Sequence, residues 1–150
     1  MEEILIPTNW PKGSNNILKV IGVGGGGSNA VQYMYSKQIE QVDFVVCNTD
    51  RQALDGSTVP VKLQIGGILT RGLGAGGKPK IGREAAKEAL SELKRAVGSA
   101  DMVFVLAGMG GGTGTGSAPV VSQIAKESGA VVICFITMPF ESEKARIDKA

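Results

Sequence analysis

The sequence predicts an α/β domain built on a parallel β-sheet with helices on both faces. Segments typical of strands alternate with segments typical of helices, which is the order that produces parallel strands joined by helices. The strand-like segments, such as MVFVLA at residues 102–107, are nearly continuously apolar. Strands that are buried on both sides have this pattern, whereas half-exposed strands alternate between apolar and polar residues. The predicted fold class is therefore Rossmann-like.

The predicted elements follow one another in a regular order. Strands are expected at residues 17–23, 42–47, 59–63, 102–107 and 130–137. Helices are expected at residues 28–37, 81–97 and 117–127, the last opening with Pro119, and another helix starts at residue 139. The helix at 81–97 is the clearest, because its apolar residues, Leu90 among them, recur at the spacing of one helix face with charged residues between them.

The chain divides into an arm and one domain. Residues 1–15 are polar and interrupted by Pro7 and Pro11, a composition that predicts little regular structure. Residues 16–150 are enough for a single domain with a substantial core. The final residues, ESEKARIDKA, have a helical pattern without a capping glycine. We therefore expect the chain to be the first part of a longer protein and the domain to be incomplete.

The composition excludes several classes of function. A formal net charge of +2 is too small for a nucleic-acid-binding surface, and no run of about 20 apolar residues could span a membrane. The absence of histidine removes the commonest metal ligand and general base. Cys47 and Cys134 lie in apolar segments and are predicted to be buried and unbridged, which indicates a reducing compartment. We expect a soluble, cytoplasmic protein without a metal site of its own.

Glycine is the unusual residue, at 22 of 150. Three glycine-rich stretches follow or approach strand ends, at residues 24–27, 72–77 and 108–116. Ordering the six glycines of the last stretch costs on the order of 3–6 kcal/mol relative to alanine. At the carboxyl ends of parallel strands, glycines let backbone N–H groups approach an anion, and helix N-termini attract it. Charged hydrogen bonds of roughly 1.5–3 kcal/mol each would offset that cost, so we predict phosphate binding.

Two nucleotide motifs can be compared with these stretches. Gly22, Gly24 and Gly27 satisfy the dinucleotide pattern GxGxxG, and Asp50 lies near the end of the second strand, where a ribose-binding acid would be. An NAD-dependent oxidoreductase domain is therefore one alternative, although it leaves the glycines at 108–116 unexplained. Residues 72–78 nearly fit the mononucleotide loop GxxxxGKS/T, but Pro79 stands where a hydroxyl is required, so we reject that motif.

Four ordered motifs carry a resemblance to a known family. They are GGGTGTG at 110–116 followed by SAP, KVIGVGGGGSNAV at 19–31, VVCNTDRQAL at 45–54, and GLGAGGKPKIGREAA at 72–86. Together with MPF at 138–140, they resemble the tubulin/FtsZ family of GTPases over residues 17–150. The prokaryotic cell-division members are more similar than eukaryotic tubulin. The resemblance implies the GTP-binding domain of that family, without its central helix and C-terminal domain.

The resemblance also implies which residues contact a guanine nucleotide. Those expected along the phosphates and at the guanine after the first strand are Gly25, Gly26, Gly27, Ser28 and Asn29. Those expected near the γ-phosphate are Asn48, Asp50, Ala75, Gly76 and Gly77. Those expected to cradle the phosphates are Gly110, Gly111, Gly112, Thr113, Gly114, Thr115 and Gly116. Glu143 and Arg146 would approach the ribose and guanine, although the family usually has a glycine after this glutamate and its arginine one position later.

The function implied by the resemblance is that of a filament-forming GTPase in cell division. Such a protein binds GTP or GDP with Mg²⁺, associates with itself head to tail, and completes hydrolysis with an acidic loop of the adjacent subunit. We expect that loop, and the regions that bind other cell-division proteins, to lie outside this chain. No catalytic residue is therefore assigned, and little or no activity is expected of the chain alone. Its expected location is the cytoplasm, at the division site. A non-catalytic nucleotide-binding or filament-capping fragment is a further alternative.

Overall fold

The structure is a computed structural model that describes residues 17–150. Five parallel strands form one sheet in the order β3-β2-β1-β4-β5. The strands are β1 (Leu18–Val23), β2 (Val42–Asn48), β3 (Val61–Gln64), β4 (Met102–Gly108) and β5 (Val131–Thr137). The predicted parallel-sheet α/β fold is confirmed. The arm predicted at residues 1–15 lies outside the described residues.

Helices cover both faces of this sheet. They are α1 (Gly24–Ser36), α2 (Arg51–Asp55), α3 (Gly67–Thr70), α4 (Pro79–Glu88), α5 (Leu90–Val97), α6 (Thr113–Glu127) and α7 (Lys144–Ile147). Helix α1 packs on one face, and α4, α5 and α6 pack on the other. Within residues 17–150, no helix combines the length and apolarity that a membrane crossing requires.

The core explains the nearly continuous apolarity of the strands. Ile21 and Val45 belong to the cluster beneath α4, α5 and α6, whereas Val20 and Phe44 belong to the cluster beneath α1. Successive side chains of a strand point to opposite faces of the sheet. Because both faces are covered here, neighbouring positions along β1 and β2 are both buried.

The predicted helix at residues 81–97 is in fact two helices. Helix α4 ends at Glu88 and α5 begins at Leu90, with Ala89 between them at φ −98° and ψ 27°, outside the helical range. Ala89 is buried, and Leu90, which the periodicity predicts on the core-facing side, is 41% exposed. The spacing of apolar residues in the sequence does not reveal the break. Only one residue, Ala89, leaves the helical conformation, and apolar residues continue at helical spacing on both sides of it.

Helices α1 and α6 begin earlier than predicted. Helix α1 starts at Gly24 rather than at residue 28, and α6 starts at Thr113 rather than at residue 117, so that Pro119 lies inside the helix. Glycine disfavours a helix by roughly 1 kcal/mol per residue, which is why the sequence predicts loops there. Packing at this edge of the sheet overrides that preference. Helix α7 is a single turn that starts at Lys144 rather than at residue 139.

Strand β5 is more exposed than predicted. It lies at the edge of the sheet, paired with β4, and Phe135 on it is 57% exposed. Cys134 is consequently exposed, which corrects the prediction of two buried cysteines, while Cys47 on β2 is buried as predicted. The sequence of β5 is that of a buried strand, but apolarity does not report which elements cover a strand.

Candidate phosphate-binding cleft

A cleft of about 660 Å³ opens beyond the carboxyl ends of β1, β4 and β5. The strand order reverses between β1 and β4, and α/β sheets bind ligands at such points. Its volume falls within the roughly 300–1,000 Å³ of small-molecule sites. The lining residues are Gly25, Gly26, Gly108, Met109, Gly111, Gly112, Thr113, Gly114, Thr137, Met138, Pro139, Phe140, Glu143 and Arg146.

Two helix N-termini meet at this cleft. Neither α1 nor α6 has a side chain that caps its first N–H groups, and neither has an acidic residue in its first turn. The two ends are adjacent, since a Cβ added to Gly24 would lie 2.8 Å from the backbone nitrogen of Gly114. Each helix N-terminus carries roughly half a positive charge and leaves its first N–H groups without intrahelical partners. The arrangement favours an anion with several oxygens.

Several glycines at this edge are packed directly against backbone. A Cβ added to Gly27 of α1 would overlap the carbonyl oxygen of Leu106 on β4. A Cβ added to Gly116 of α6 would overlap the carbonyl oxygen of Pro79 at the start of α4. A Cβ added to Gly114 of α6 would likewise overlap the carbonyl oxygen of Gly108 at the end of β4. These glycines let the first turns of α1 and α6 approach their neighbours closely.

Other glycines of the same stretches are not packed. Beyond their own chain neighbours, Gly25, Gly76 and Gly111 have no heavy atom within 4 Å of an added Cβ. Gly25 and Gly111 line the cleft, and neither has a positive φ. Neither packing nor backbone conformation therefore requires glycine at these two positions. Both residues are exposed, so a ligand in the cleft can approach their backbone without meeting a side chain.

Asn48 and Asp50, at the end of β2, are held by the local backbone. Asn48 Oδ1 accepts hydrogen bonds from the N–H groups of Thr49 at 2.8 Å and Asp50 at 3.3 Å. Asp50 Oδ1 accepts one from the N–H of Ala53 at 3.1 Å and thereby caps α2. Asn48 is buried and Asp50 is half-buried. Neither residue is among those that line the cleft.

The glycine-rich stretch at residues 72–77 contacts the loop before α6. Ala75 is buried, and its Cβ would lie 2.8 Å from a Cβ added to Gly112. Gly76 and Gly77 are exposed. The structure therefore brings this stretch and the GGGTGTG motif together, as the predicted site requires, although residues 72–77 do not form part of the cleft lining.

The two threonines of GGGTGTG have different surroundings. Thr113 lines the cleft, and its hydroxyl lies 2.6 Å from that of Thr49. Thr115 Oγ1 accepts a hydrogen bond from the N–H of Gly110 at 2.8 Å. The Thr113 hydroxyl can therefore reach a ligand, whereas the Thr115 hydroxyl closes the turn that precedes its own helix.

Glu143 and Arg146 form the opposite wall of the cleft. Arg146 Nη1 lies 2.9 Å from Glu143 Oε1, and Glu143 Oε2 accepts a hydrogen bond from the N–H of Phe140 at 3.0 Å. Exposed ion pairs stabilise a protein by about 1 kcal/mol at most, so this pair contributes mainly to the shape and charge of the wall. Arg146 lines the cleft although it stands one position earlier than the usual arginine of the family that the sequence resembles. Its Cβ lies 2.9 Å from the position of a Cβ added to Gly110.

Ser28 and Asn29 follow the first turn of α1. Ser28 Oγ is buried and has no hydrogen-bond partner among the described residues. An unsatisfied buried hydroxyl costs roughly 1–3 kcal/mol, which an oxygen of a ligand or of water would relieve. Asn29 is exposed on α1 and is not one of the lining residues.

Thr49 and Phe140 belong to the site region although the sequence motifs indicate no role for either. Thr49 is fully buried and bonded to Thr113, and Phe140 lines the cleft while remaining 79% exposed. The sequence position of each residue could have indicated that it lies near the site. Thr49 is a hydroxyl residue between two predicted site residues, Asn48 and Asp50, and Phe140 follows the end of a strand whose neighbours carry the glycine loops.

The residues present fit a Mg²⁺ ion only as part of a nucleotide complex. Within residues 17–150, no group of three or more Asp, Glu, Cys or His residues could hold a metal ion. Mg²⁺ in nucleotide sites is usually held by one or two carboxylates together with phosphates and water. Asp50 supplies one carboxylate near the end of β2, and its Oδ1 is already engaged as a helix cap. A bound polyphosphate would have to provide most of the remaining ligands.

Comparison with known proteins identifies the class to which this fold and cleft belong. A model described as "Tubulin/FtsZ family, GTPase domain" matches residues 17–150, so the chain belongs to this family. The cell division protein FtsZ of Buchnera aphidicola subsp. Acyrthosiphon pisum (strain APS) is 55% identical over 130 residues, which are 87% of this chain and 34% of the relative. The chain thus spans about a third of the length of that relative.

Solved structures agree with this assignment. The empty FtsZ dimer of M. jannaschii superposes with a TM-score of 0.86 at 49% identity, over 89% of this chain and 39% of that chain. CetZ2 from Haloferax volcanii, in a GTPγS-bound protofilament, gives a TM-score of 0.68 at 28% identity, over 81% of this chain and 39% of that chain. Of these relatives, the FtsZ proteins are the more similar.

Proposed function

We propose that the cleft binds GTP and GDP through their phosphates. The observation that carries the proposal is the convergence of two uncapped helix N-termini, those of α1 and α6, on one cleft. An oxyanion there would accept hydrogen bonds from N–H groups without intrahelical partners and would reduce the repulsion between two adjacent positive ends. Membership of a GTPase family supports a guanine nucleotide over the nicotinamide alternative.

Apart from Asn48 and Asp50, the predicted site residues divide into three roles in this proposal. Gly25, Gly26 and Gly111 would present N–H groups to the phosphates, and Thr113 would add a hydroxyl. The residues that would shape the cradle are Gly112 and Gly114 in its lining and, behind them, Gly27, Ser28, Ala75, Gly76, Gly77, Gly110, Thr115 and Gly116. Glu143 and Arg146, on the opposite wall, would face the ribose and base, and Asn29 would reach the base from α1.

Mg²⁺ would accompany the nucleotide, with Asp50 and Asn48 on the side of the γ-phosphate. When bound, the ion supplies charge neutralisation for the phosphates. Asp50 would need its second carboxylate oxygen for this role, because the first caps α2. The fixed position of Asn48, which accepts two backbone hydrogen bonds, would keep that carboxylate oriented.

For the whole protein, we propose a GTPase that assembles head to tail into filaments and acts in cell division. The relatives support this, since one is named as a cell division protein, one is a dimer and one is a GTPγS-bound protofilament. Head-to-tail contacts do not close on themselves, so they produce open filaments. An acidic loop of the adjacent subunit would complete hydrolysis. Other cell-division proteins would bind outside this chain, in the cytoplasm at the division site.

The chain alone would bind nucleotide with little turnover. It contains no histidine, and the one carboxylate of the cleft lining, that of Glu143, already accepts hydrogen bonds through both oxygens. A general base must be within hydrogen-bond reach of the attacking water and free to take its proton. Glu143 does not meet the second condition while it is paired with Arg146.

The test is a calorimetric titration of the purified chain with GTP, GDP, ATP and NAD, each with and without Mg²⁺. We expect binding of both guanine nucleotides, strengthened by Mg²⁺ for GTP, and weak or no binding of ATP and NAD. Binding of NAD without a response to GTP or GDP would instead support the oxidoreductase alternative. A parallel assay of phosphate release should give little turnover, and rapid release by the chain alone would contradict the proposed need for an adjacent subunit.

A further inference from the structure

Thr49, directly after β2, contacts two other segments at the carboxyl edge of the sheet. Its side chain is fully buried, and its hydroxyl lies 2.6 Å from that of Thr113 in the first turn of α6. Its carbonyl oxygen accepts a hydrogen bond from the N–H of Gly74 at 3.3 Å and lies 3.3 Å from the Thr70 hydroxyl oxygen. One residue at the end of β2 thus contacts both the cleft-lining helix and the glycine-rich stretch at 72–77.

A ligand would determine which hydroxyl of the Thr49–Thr113 pair is the hydrogen-bond donor. A threonine hydroxyl has one proton to donate and can accept at its lone pairs. In the pair of Thr49 and Thr113, either oxygen can be the donor. Thr113 also lines the cleft. If Thr113 gives its only proton to an anionic oxygen in the cleft, the proton between the two hydroxyls must come from Thr49.

Such a chain of hydrogen bonds is cooperative. A hydroxyl that accepts one hydrogen bond donates a stronger one, and the effect is larger away from water. Thr49 is the buried member of the pair and Thr113 the half-buried one. The bond from Thr113 to an anion is therefore strengthened by Thr49, which itself does not line the cleft.

We propose that Thr49 is a positioning residue for phosphate binding, acting through the Thr113 hydroxyl and tying the stretch at 72–77 to the occupied cleft. This inference rests on the proposed function, because it specifies how the same cleft responds to its ligand. Thr70 supports the arrangement from behind, since its hydroxyl donates to the carbonyl oxygen of Gly66 at 2.9 Å as well as contacting the Thr49 carbonyl.

The experiment compares Thr49→Val, Thr49→Ser, Thr113→Val and the double variant with the unchanged chain. The probes are GDP and inorganic tripolyphosphate, titrated by calorimetry, with urea unfolding of each variant as a second readout. We expect Thr49→Val to lower the affinity for both probes roughly fivefold, the effect of losing one neutral hydrogen bond, that from Thr49 to the Thr113 hydroxyl. Thr49→Ser, which keeps the hydroxyl, should retain most of the affinity.

The decisive result is the double variant. Because Thr49 is proposed to act through Thr113, Thr49→Val should lower the affinity little further once Thr113 is valine. Ser57→Ala is the control for lost stability alone, since the buried Ser57 hydroxyl accepts a local hydrogen bond from the N–H of Val59 at 3.2 Å and Ser57 does not line the cleft. It should unfold at lower urea while binding both probes normally.

The other outcomes overturn one proposal or both. Unchanged affinity in Thr49→Val, or a loss that adds in full to that of Thr113→Val, would make Thr49 a purely structural residue and leave the proposed function intact. Binding of tripolyphosphate that depends on Thr49, without binding of GDP, would support the inference and contradict the guanine site. Binding of neither probe would overturn both.

A further readout does not depend on the folding of Thr49→Val. Hydrogen exchange of the Gly74 amide, which donates to the Thr49 carbonyl, should slow when tripolyphosphate binds the unchanged chain. In Thr113→Val, the same amide should exchange at one rate with and without the anion. Equal slowing in both chains would contradict the proposed coupling.

Discussion

Two kinds of glycine lie side by side at the carboxyl edge of this sheet. Gly27, Gly114 and Gly116 are packed so closely against backbone that a methyl group would overlap it. Gly25 and Gly111 have open space where a side chain would be. The two kinds alternate within the same motifs, so the glycine content of a motif does not by itself indicate ligand contact. The packed glycines bring two helix N-termini together, and the open ones leave them accessible.

The largest effect should come from filling a packed position. In Gly27→Ala, the added methyl would overlap the Leu106 carbonyl oxygen, which belongs to the central part of the sheet and cannot move aside. Overpacking costs roughly 1–3 kcal/mol and occasionally more, and overlap with sheet backbone places this variant at the upper end, a large fraction of a domain's stability. We expect the variant to lose its cooperative urea transition or to unfold at much lower urea.

Gly25→Ala is the matched control, two positions earlier on α1. Its methyl would meet no atom beyond its own chain neighbours, and alanine favours a helix by roughly 1 kcal/mol over glycine. The control should therefore unfold at the same urea concentration as the unchanged chain or higher. Equal destabilisation by the two variants would show that the distinction between packed and open glycines is wrong.

The reactivities of the two cysteines measure whether the sheet stays folded in these variants. Cys47 is buried near the end of β2, and burial raises the pKa of its thiol to about 12. Cys134 on β5 is exposed. Because the thiolate is the reactive form and Cys47 is both buried and protonated at pH 8, we expect a thiol-reactive reagent to label Cys134 much faster than Cys47. Gly27→Ala should abolish this difference and Gly25→Ala should preserve it.

The raised pKa of Cys47 also predicts a pH dependence of stability. The thiol ionises at lower pH in the unfolded chain than in the folded one, so its contribution is fully present below about pH 9 and is lost as pH rises towards about 12. The slope is at most about 1.4 kcal/mol per pH unit. Cys47→Ala should remove this part of the slope, and an unchanged slope between pH 9 and 11 would contradict the assigned burial.

A charge at an open position should separate binding from folding. Glu in place of Gly25 would put an acidic residue in the first turn of α1, which stabilises a helix by roughly 0.3–1 kcal/mol. The same charge would lie in the cleft and repel phosphate, and two like charges near a protein surface repel by roughly 4 kcal/mol at 4 Å. We expect Gly25→Glu to lower GDP affinity at least about a hundredfold without loss of stability.

The neutral variant Gly25→Gln is the control for size. It has the same length as Gly25→Glu and should lower GDP affinity much less. Calorimetry measures the affinities, and urea unfolding without nucleotide measures the stabilities. A loss of affinity as large in the glutamine variant as in the glutamate variant would mean that space rather than charge decides binding at this position.

The fold was largely predictable because its determinants are local. Strand positions follow from short apolar segments, and burial of both sheet faces makes those segments nearly continuous. The starts of α1 and α6 were not predictable, since Gly24 and Gly114 are poor helix formers that only tertiary packing holds in helices. The exposure of Cys134 was missed for a related reason, because the sequence of β5 does not indicate which elements cover it.

The sequence motifs predict where the site lies, but they do not predict what each residue of the site does. The glycine stretches after β1 and β4, with Thr113, do line one cleft, as neighbouring strand ends of a parallel sheet predict, and the stretch at 72–77 contacts the second of them through Ala75 and Gly112. Whether a given glycine is packed or open depends on contacts with distant residues, and the sequence carries no local sign of it. The bond between Thr49 and Thr113 likewise joins residues 64 positions apart.

The smallest effect should distinguish two adjacent glycines of the GGGTGTG motif. Gly111 has open space at its Cβ position and no positive φ, so Gly111→Ala should raise stability by roughly 0.4–1 kcal/mol by restricting the unfolded chain. Gly110 has φ +97°, and its Cβ would lie 2.6 Å from Cγ of Pro139, so Gly110→Ala should destabilise. The midpoints of urea unfolding, at equal transition slope, measure both. If the two variants shift in the same direction, the contrast between open and packed glycines does not extend to neighbouring positions of one motif, and the loop must move as a unit.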